Sequence, residues 1–161
     1  MNAVVIYGTR HGNTQAIAGA IAGGLKTKAS VQIFPIETVP SGVLAQADLV
    51  VVGGPTEGHG VSEPVKVFFD DLAEDTFKGK LAASFDTRLQ WPLWMSGSAA
   101  NGIGGRLRRA GAELVSGPGS FIVKGKTPAL EPGELTRAVE WGRSVARKAS
   151  MHRPLPAAAG L

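Results

Sequence analysis

The run Leu49-Val50-Val51-Val52-Gly53-Gly54 carries no polar side chain and stops at Pro55. A strand with one wet face alternates apolar and polar residues, whereas an unbroken apolar run marks a central strand covered on both faces. Such a strand needs one layer above it and another below. The rest of the chain supplies both. Strand-like and helix-like segments alternate five times, which argues for a single α/β domain with a parallel sheet and helices on both faces.

The first unit is Val4-Val5-Ile6-Tyr7, followed by a helical pattern through Ile17, Ile21 and Leu25. Val31 to Pro35 reads as the second strand and Pro40 to Ala47 as a short helix. After the central run, Thr56-Glu57-Gly58-His59-Gly60 reads as a flexible loop. The helix after it is capped by Ser62, with Val65, Val67, Phe68, Phe69 and Leu72 on its buried face. Leu81 to Phe85 is a fourth strand ending at Asp86, Thr87 to Ser98 a long loop, and Ala99 to Ala110 a helix. Glu113 to Val115 and Ser120 to Val123 read together as a fifth strand, interrupted by Gly117-Pro118-Gly119. A last helix opens near Gly133 and runs through Leu135, Val139, Trp141 and Val145, with Trp141 in the core. From Ser150 the sequence turns rich in Pro and Ala, so the domain is expected over 1–149 and a flexible tail over 150–161.

A length of 161 residues is enough to bury a core without staples. The chain has no cysteine, which excludes disulfides, thiolate catalysis and cysteine-ligated metal. Its N-terminus lacks a signal pattern, and no apolar run approaches the ~20 residues of a membrane span, so a cytoplasmic protein is expected. The net charge is +4, concentrated in Arg106, Arg108 and Arg109 and again in Arg137, Arg143, Arg147, Lys148 and Arg153. Such a face suits an acidic partner protein or anionic lipid, or is simply solvated. No nucleic-acid motif accompanies it, and nucleic acid is not an expected partner.

Chemistry concentrates where the first strand becomes the first helix, at Gly8-Thr9-Arg10-His11-Gly12-Asn13-Thr14. A strand that ends in a Gly/Thr/Asn turn and re-enters as a helix aims backbone N–H groups, hydroxyls and a positive helix end at one spot. That is an anion site suited to phosphate. It lacks the Gly-Lys-Ser/Thr ending of a triphosphate loop and the glycine spacing of a dinucleotide fingerprint.

Thr9, Gly12, Asn13 and Thr14 match the phosphate loop of the flavodoxin family, which the chain resembles from about Val4 to Lys148. His11 stands where that family usually has a hydroxyl residue. The resemblance implies a three-layer fold, a five-stranded parallel sheet in the order 2-1-3-4-5, and FMN held at the carboxyl edge. It implies that Thr9, Arg10, His11, Gly12, Asn13 and Thr14 surround the FMN phosphate. In Pro55-Thr56-Glu57-Gly58-His59-Gly60, Glu57 takes the place commonly held by an aromatic. Gly58 or Gly60 could offer a flexible peptide to the ring, and His59 reads equally as loop or ligand contact. In Asp86-Thr87-Arg88-Leu89-Gln90-Trp91-Pro92-Leu93-Trp94, Asp86 matches the family's acid. Trp91 or Trp94 would stack on the ring and tune its potential. Arg88 either pairs with Asp86, lies over the ring, or stays free.

The function implied is an FMN-binding electron-transfer protein that meets a redox partner protein, an acidic one in view of the basic surface. Two alternatives accompany it: an FMN-dependent reductase or oxidase of a small substrate such as a quinone, and a flavin-free binding domain of the same fold.

Overall fold

Tyr7 pairs with Pro35 on one side and Gly53 on the other, which sets β1 (Asn2–Tyr7) between β2 (Ser30–Pro35) and β3 (Leu49–Glu57), all parallel. β3 also folds back on the short β4 (Gly60–Val61) as an antiparallel hairpin. On its far side β3 pairs with β5 (Leu81–Leu89), and β5 pairs with both β6 (Glu113–Leu114) and β7 (Gly119–Lys124). The computed structural model describes residues 1–152. With β6 and β7 as two pieces of one strand, the order β2-β1-β3-β5-β7 is the expected 2-1-3-4-5. Gly117 and Pro118 fall in the break between the pieces, where Leu114 to Gly119 spans the same length of β5 as Ala82 to Phe85.

Several local expectations are corrected. β5 does not end at Asp86 but continues through Leu89, because Asp86 and Thr87 still find partners in β3 and Arg88 and Leu89 in β7. Inside the expected long loop, Leu93–Ser96 forms a helical turn, α4 in chain order. β3 does not stop at Pro55 but runs on through Glu57, because Pro55 still pairs with Thr87, and the segment expected to be a flexible loop is the β3–β4 hairpin. A further strand, β8 (Ala129–Leu130), lies antiparallel on β7.

The helices form the two outer layers. α1 (Asn13–Leu25) and α6 (Glu134–His152) cover one face, with Ile17, Ile21, Val145 and Ala149 packed on Val5, Val51 and Phe85. α2 (Ser41–Gln46), α3 (Glu63–Asp70) and α5 (Ala99–Arg109) cover the other, with Leu44, Val65, Ile103 and Leu107 packed on Val4, Ile6, Val50 and Val52. Alternate residues of β1 and β3 thus feed opposite cores, and Leu49 to Gly54 are buried throughout, as the apolar run required. Trp141, expected in the core, is half-buried and packs on the core residues Phe85 and Phe121 at centroid distances of 6.3 and 6.2 Å. Val67, expected inward, is exposed on α3, and Ser62 sits at the cap position without a side-chain capping bond. α6 continues through Ser150, Met151 and His152, and the rest of the expected tail lies outside the described residues.

Candidate functional site

The parallel strands put the turns after β1, β3, β5 and β7 at one edge, where they enclose a cleft of about 310 Å³. Its first wall is the turn into α1. The Thr9 hydroxyl accepts a hydrogen bond from the Gly12 N–H at 3.0 Å and closes the turn, and Gly12 takes φ 84° to enter the helix. No side chain caps α1, so the amide N–H groups of its first turn are left for another acceptor. Thr14 is buried at the base, its hydroxyl 2.9 Å from that of Thr87. The Asn13 side chain donates to the Pro128 carbonyl at 2.7 Å, tying the turn to the segment after β7. Arg10 and His11 line the mouth.

The second wall is the end of β3, with Pro55, Thr56 and Glu57 facing the cleft. Glu57 lies 3.7 Å from Arg10, an ion pair across the rim. Gly58 and His59 form the two-residue hairpin turn with φ 54° and 69°, the positive values that match a right-twisted hairpin. Gly60 is already paired with Glu57 in the hairpin. The hairpin is pressed against the segment after β5: a Cβ on Gly97 would fall 1.8 Å from the His59 carbonyl oxygen. A smaller cleft of about 220 Å³ opens between the two, lined by Gly58, His59, Trp91 and Met95 and sharing Thr56 and Leu89 with the first.

Asp86 does not line either cleft. It is fully buried beneath them. Its Oδ1 accepts from the Ser120 hydroxyl at 2.5 Å, and its Oδ2 from the Ser98 hydroxyl at 2.9 Å, the Ala100 N–H at 3.0 Å and the Thr56 hydroxyl at 3.2 Å. One carboxylate therefore ties together the ends of β3 and β5, β7 and the N-terminus of α5. Arg88 reaches it indirectly, donating to the Ser120 hydroxyl at 2.7 Å and to the Leu89 and Trp91 carbonyls at 3.3 and 3.0 Å. Thr87 and Arg88 both line the main cleft. Trp91 borders the smaller one, while Trp94 borders neither and is 83% exposed.

The sequence reading named no residue of the fourth turn, yet Val123, Gly125, Lys126 and Pro128 complete the cleft. The signal was present in Gly125-Lys126-Thr127-Pro128, a turn directly after the fifth strand and hence at the same edge.

A parallel sheet with a cleft lined by the turns after β1 and β3, where the strand order reverses, defines a doubly wound α/β protein with a cleft at its switch point. Within that class a family model, flavodoxin, matches residues 5–141. The chain belongs to the flavodoxin family. A flavodoxin from Aquifex aeolicus is 33% identical over 93 residues, covering 55% of this chain and 50% of that one. One from Clostridium saccharobutylicum is 26% identical over 89 residues, covering 54% and 56%. The chain spans about half the length of the curated relatives it matches. The solved structure of an archaeal flavodoxin superposes with a TM-score of 0.73 at 24% identity, covering 93% of this chain and 99% of that one.

Proposed function

We propose that this protein binds FMN in the cleft and serves as an electron-transfer protein. One observation carries the reading: the uncapped first turn of α1 opens on the cleft beside the buried hydroxyls of Thr14 and Thr87 and the cations Arg10 and Lys126. Uncommitted N–H groups, hydroxyls and cations at one place suit a dianionic phosphate. Backbone amides of Arg10, His11, Asn13 and Thr14 would hold that phosphate, the Gly12 amide being bonded to Thr9; the Thr9 hydroxyl is still able to donate, and so is that of Thr14 where Thr87 donates to it. The ring would lie toward the smaller cleft, between Pro55 to Gly60 and Thr87 to Trp91. Asp86 would act from below by fixing both turns, and Trp94 lies outside both clefts. Bound FMN supplies one- and two-electron chemistry. The chain's part is to bind it, orient it and limit water around it.

The net charge of +4 favours an acidic redox partner, and the cytoplasm is the compartment this reading assigns. Titrating the apoprotein with FMN and, separately, with riboflavin tests it. Quenched flavin fluorescence at micromolar protein is expected with FMN and far weaker with riboflavin, which lacks the phosphate. No quenching by FMN would sink the proposal.

The smaller cleft favours a second reading, a reductase of a small aromatic acceptor such as a quinone. His59 and Trp91 border a space that adjoins the main cleft and is open to solvent. FMN-dependent quinone reduction by NAD(P)H would support it, and its absence would leave the carrier.

A further inference from the structure

At the end of the sheet β7 turns back on itself. Lys124 pairs with Ala129 and Val123 with Leu130, so Gly125-Lys126-Thr127-Pro128 is the tip of an antiparallel hairpin. Gly125 takes φ 100° at its start, a value that glycine adopts without strain. Gly125, Lys126 and Pro128 all line the main cleft. The tip is also clipped in place. The side chain of Asn13, the first residue of α1, donates to the Pro128 carbonyl at 2.7 Å. That bond joins residues 115 apart in sequence, so it holds one wall of the cleft against another and has no part in the local turn. It also changes what Asn13 does. The side chain expected to surround the phosphate commits a donor to the hairpin instead.

The lysine on this tip differs from the other permanent cations that line the cleft, Arg10 and Arg88. Arg10 lies 3.7 Å from Glu57. Arg88 commits Nε to the Ser120 hydroxyl and Nη1 to the Leu89 and Trp91 carbonyls. Lys124, just before the tip, lies 3.7 Å from Glu131. Lys126 forms neither an ion pair nor a hydrogen bond among the described residues. An exposed lysine is ordinarily just solvated. This one sits on a turn fastened to the end of α1, whose first-turn amides no side chain caps. Those amides offer an anion partial charges only. A phosphate monoester carries close to two full charges at pH 7 and three acceptor oxygens. A whole, uncommitted charge on the facing wall is the counterpart that the amides lack.

We propose that the β7–β8 hairpin clamps the phosphate of the ligand, with Lys126 selecting a phosphorylated ligand and Asn13 acting as the positioning residue that holds the tip over it. The inference rests on the reading of the cleft as an FMN site. Wild type, Lys126→Gln, Asn13→Ala and the double variant are titrated with FMN and with riboflavin at low and high salt. Flavin fluorescence reports binding, and unfolding temperatures check that each variant folds. Lys126→Gln should bind FMN about tenfold more weakly and riboflavin as wild type does. Its FMN affinity should also fall less steeply with salt. Asn13→Ala should weaken FMN binding and spare riboflavin. Added to Lys126→Gln it should change nothing more, because a positioning residue acts only through the group it positions. A wild type that does not bind FMN would overturn both the reading of the cleft and the clamp. FMN binding that is the same in wild type and Lys126→Gln would overturn the clamp alone, as would equal losses for FMN and riboflavin. Additive losses in the double variant would overturn the positioning role and place Asn13 on the ligand itself.

Discussion

Asp86 is a buried acceptor with four donors aimed at it, and every donor comes from another part of the chain. Replacing it with alanine strands those donors away from water. Asp86→Ala should cost about 3 kcal/mol or more in urea unfolding, and it should weaken FMN binding without touching the ligand. Thr14→Val keeps the shape but loses the bond to Thr87 and, in the proposed binding mode, a donor to phosphate. About 1 kcal/mol of stability and about tenfold in FMN affinity should go, read from unfolding and titration of the same sample. At the other end of β7, Glu134 accepts from Ile122 N–H at 2.7 Å and pairs with Arg137 at 2.6 Å. The Arg137 hydrogen bond holds the Glu134 carboxyl below its ordinary 4.5; burial opposes it, and the Ile122 amide and the Arg137 charge add to it. A depressed folded value means that this stabilisation is complete above the ordinary value and is lost as pH falls through the folded one. Wild type should therefore lose more stability on acidification than Glu134→Gln, and converging curves at low pH would show it. The turn into α1 and its place on the cleft were legible because that motif is local. The role of Asp86 was not, since Thr56 and Ser120 lie 30 and 34 residues away.

α1 and α6 cross so closely that a Cβ on Gly24 would meet the Val139 carbonyl oxygen at 2.2 Å, and one on Gly142 the Ile21 oxygen at 2.3 Å. In an isolated helix Gly→Ala gains ~1 kcal/mol. Gly23, with nothing within 4 Å, should follow that rule, and Gly24 should reverse it. Gly23→Ala is expected to raise the unfolding midpoint, and Gly24→Ala to lose about 2 kcal/mol through backbone separation. Equal midpoints for the two variants would contradict the crossing. Among the strands, β1 and β3 were legible because buried apolar runs admit few alternatives. The extension of β5 through Asp86, Thr87 and Arg88 was not. Its polar residues argue against a strand until their partners in β3 and β7 are in place.

At the scale of the molecule, a ligand that binds only the folded state must stabilise all of it. FMN at ~100 times its dissociation constant should add about 2.7 kcal/mol, a rise of roughly 5–10 °C in unfolding temperature for a domain of this size. A thermal scan that does not move would mean that the cleft does not hold FMN. Periodicity and turn chemistry alone fixed the alternation of strands and helices, the two-faced burial of the central strand and the turn that joins β1 to α1, because each depends on neighbours a few residues apart. The close crossing of α1 and α6, the anchoring of four segments on Asp86, the completion of the cleft by Lys126 and Pro128 and the exposure of Trp94 were decided only by the tertiary structure. Each depends on groups distant in sequence whose meeting no local pattern encodes.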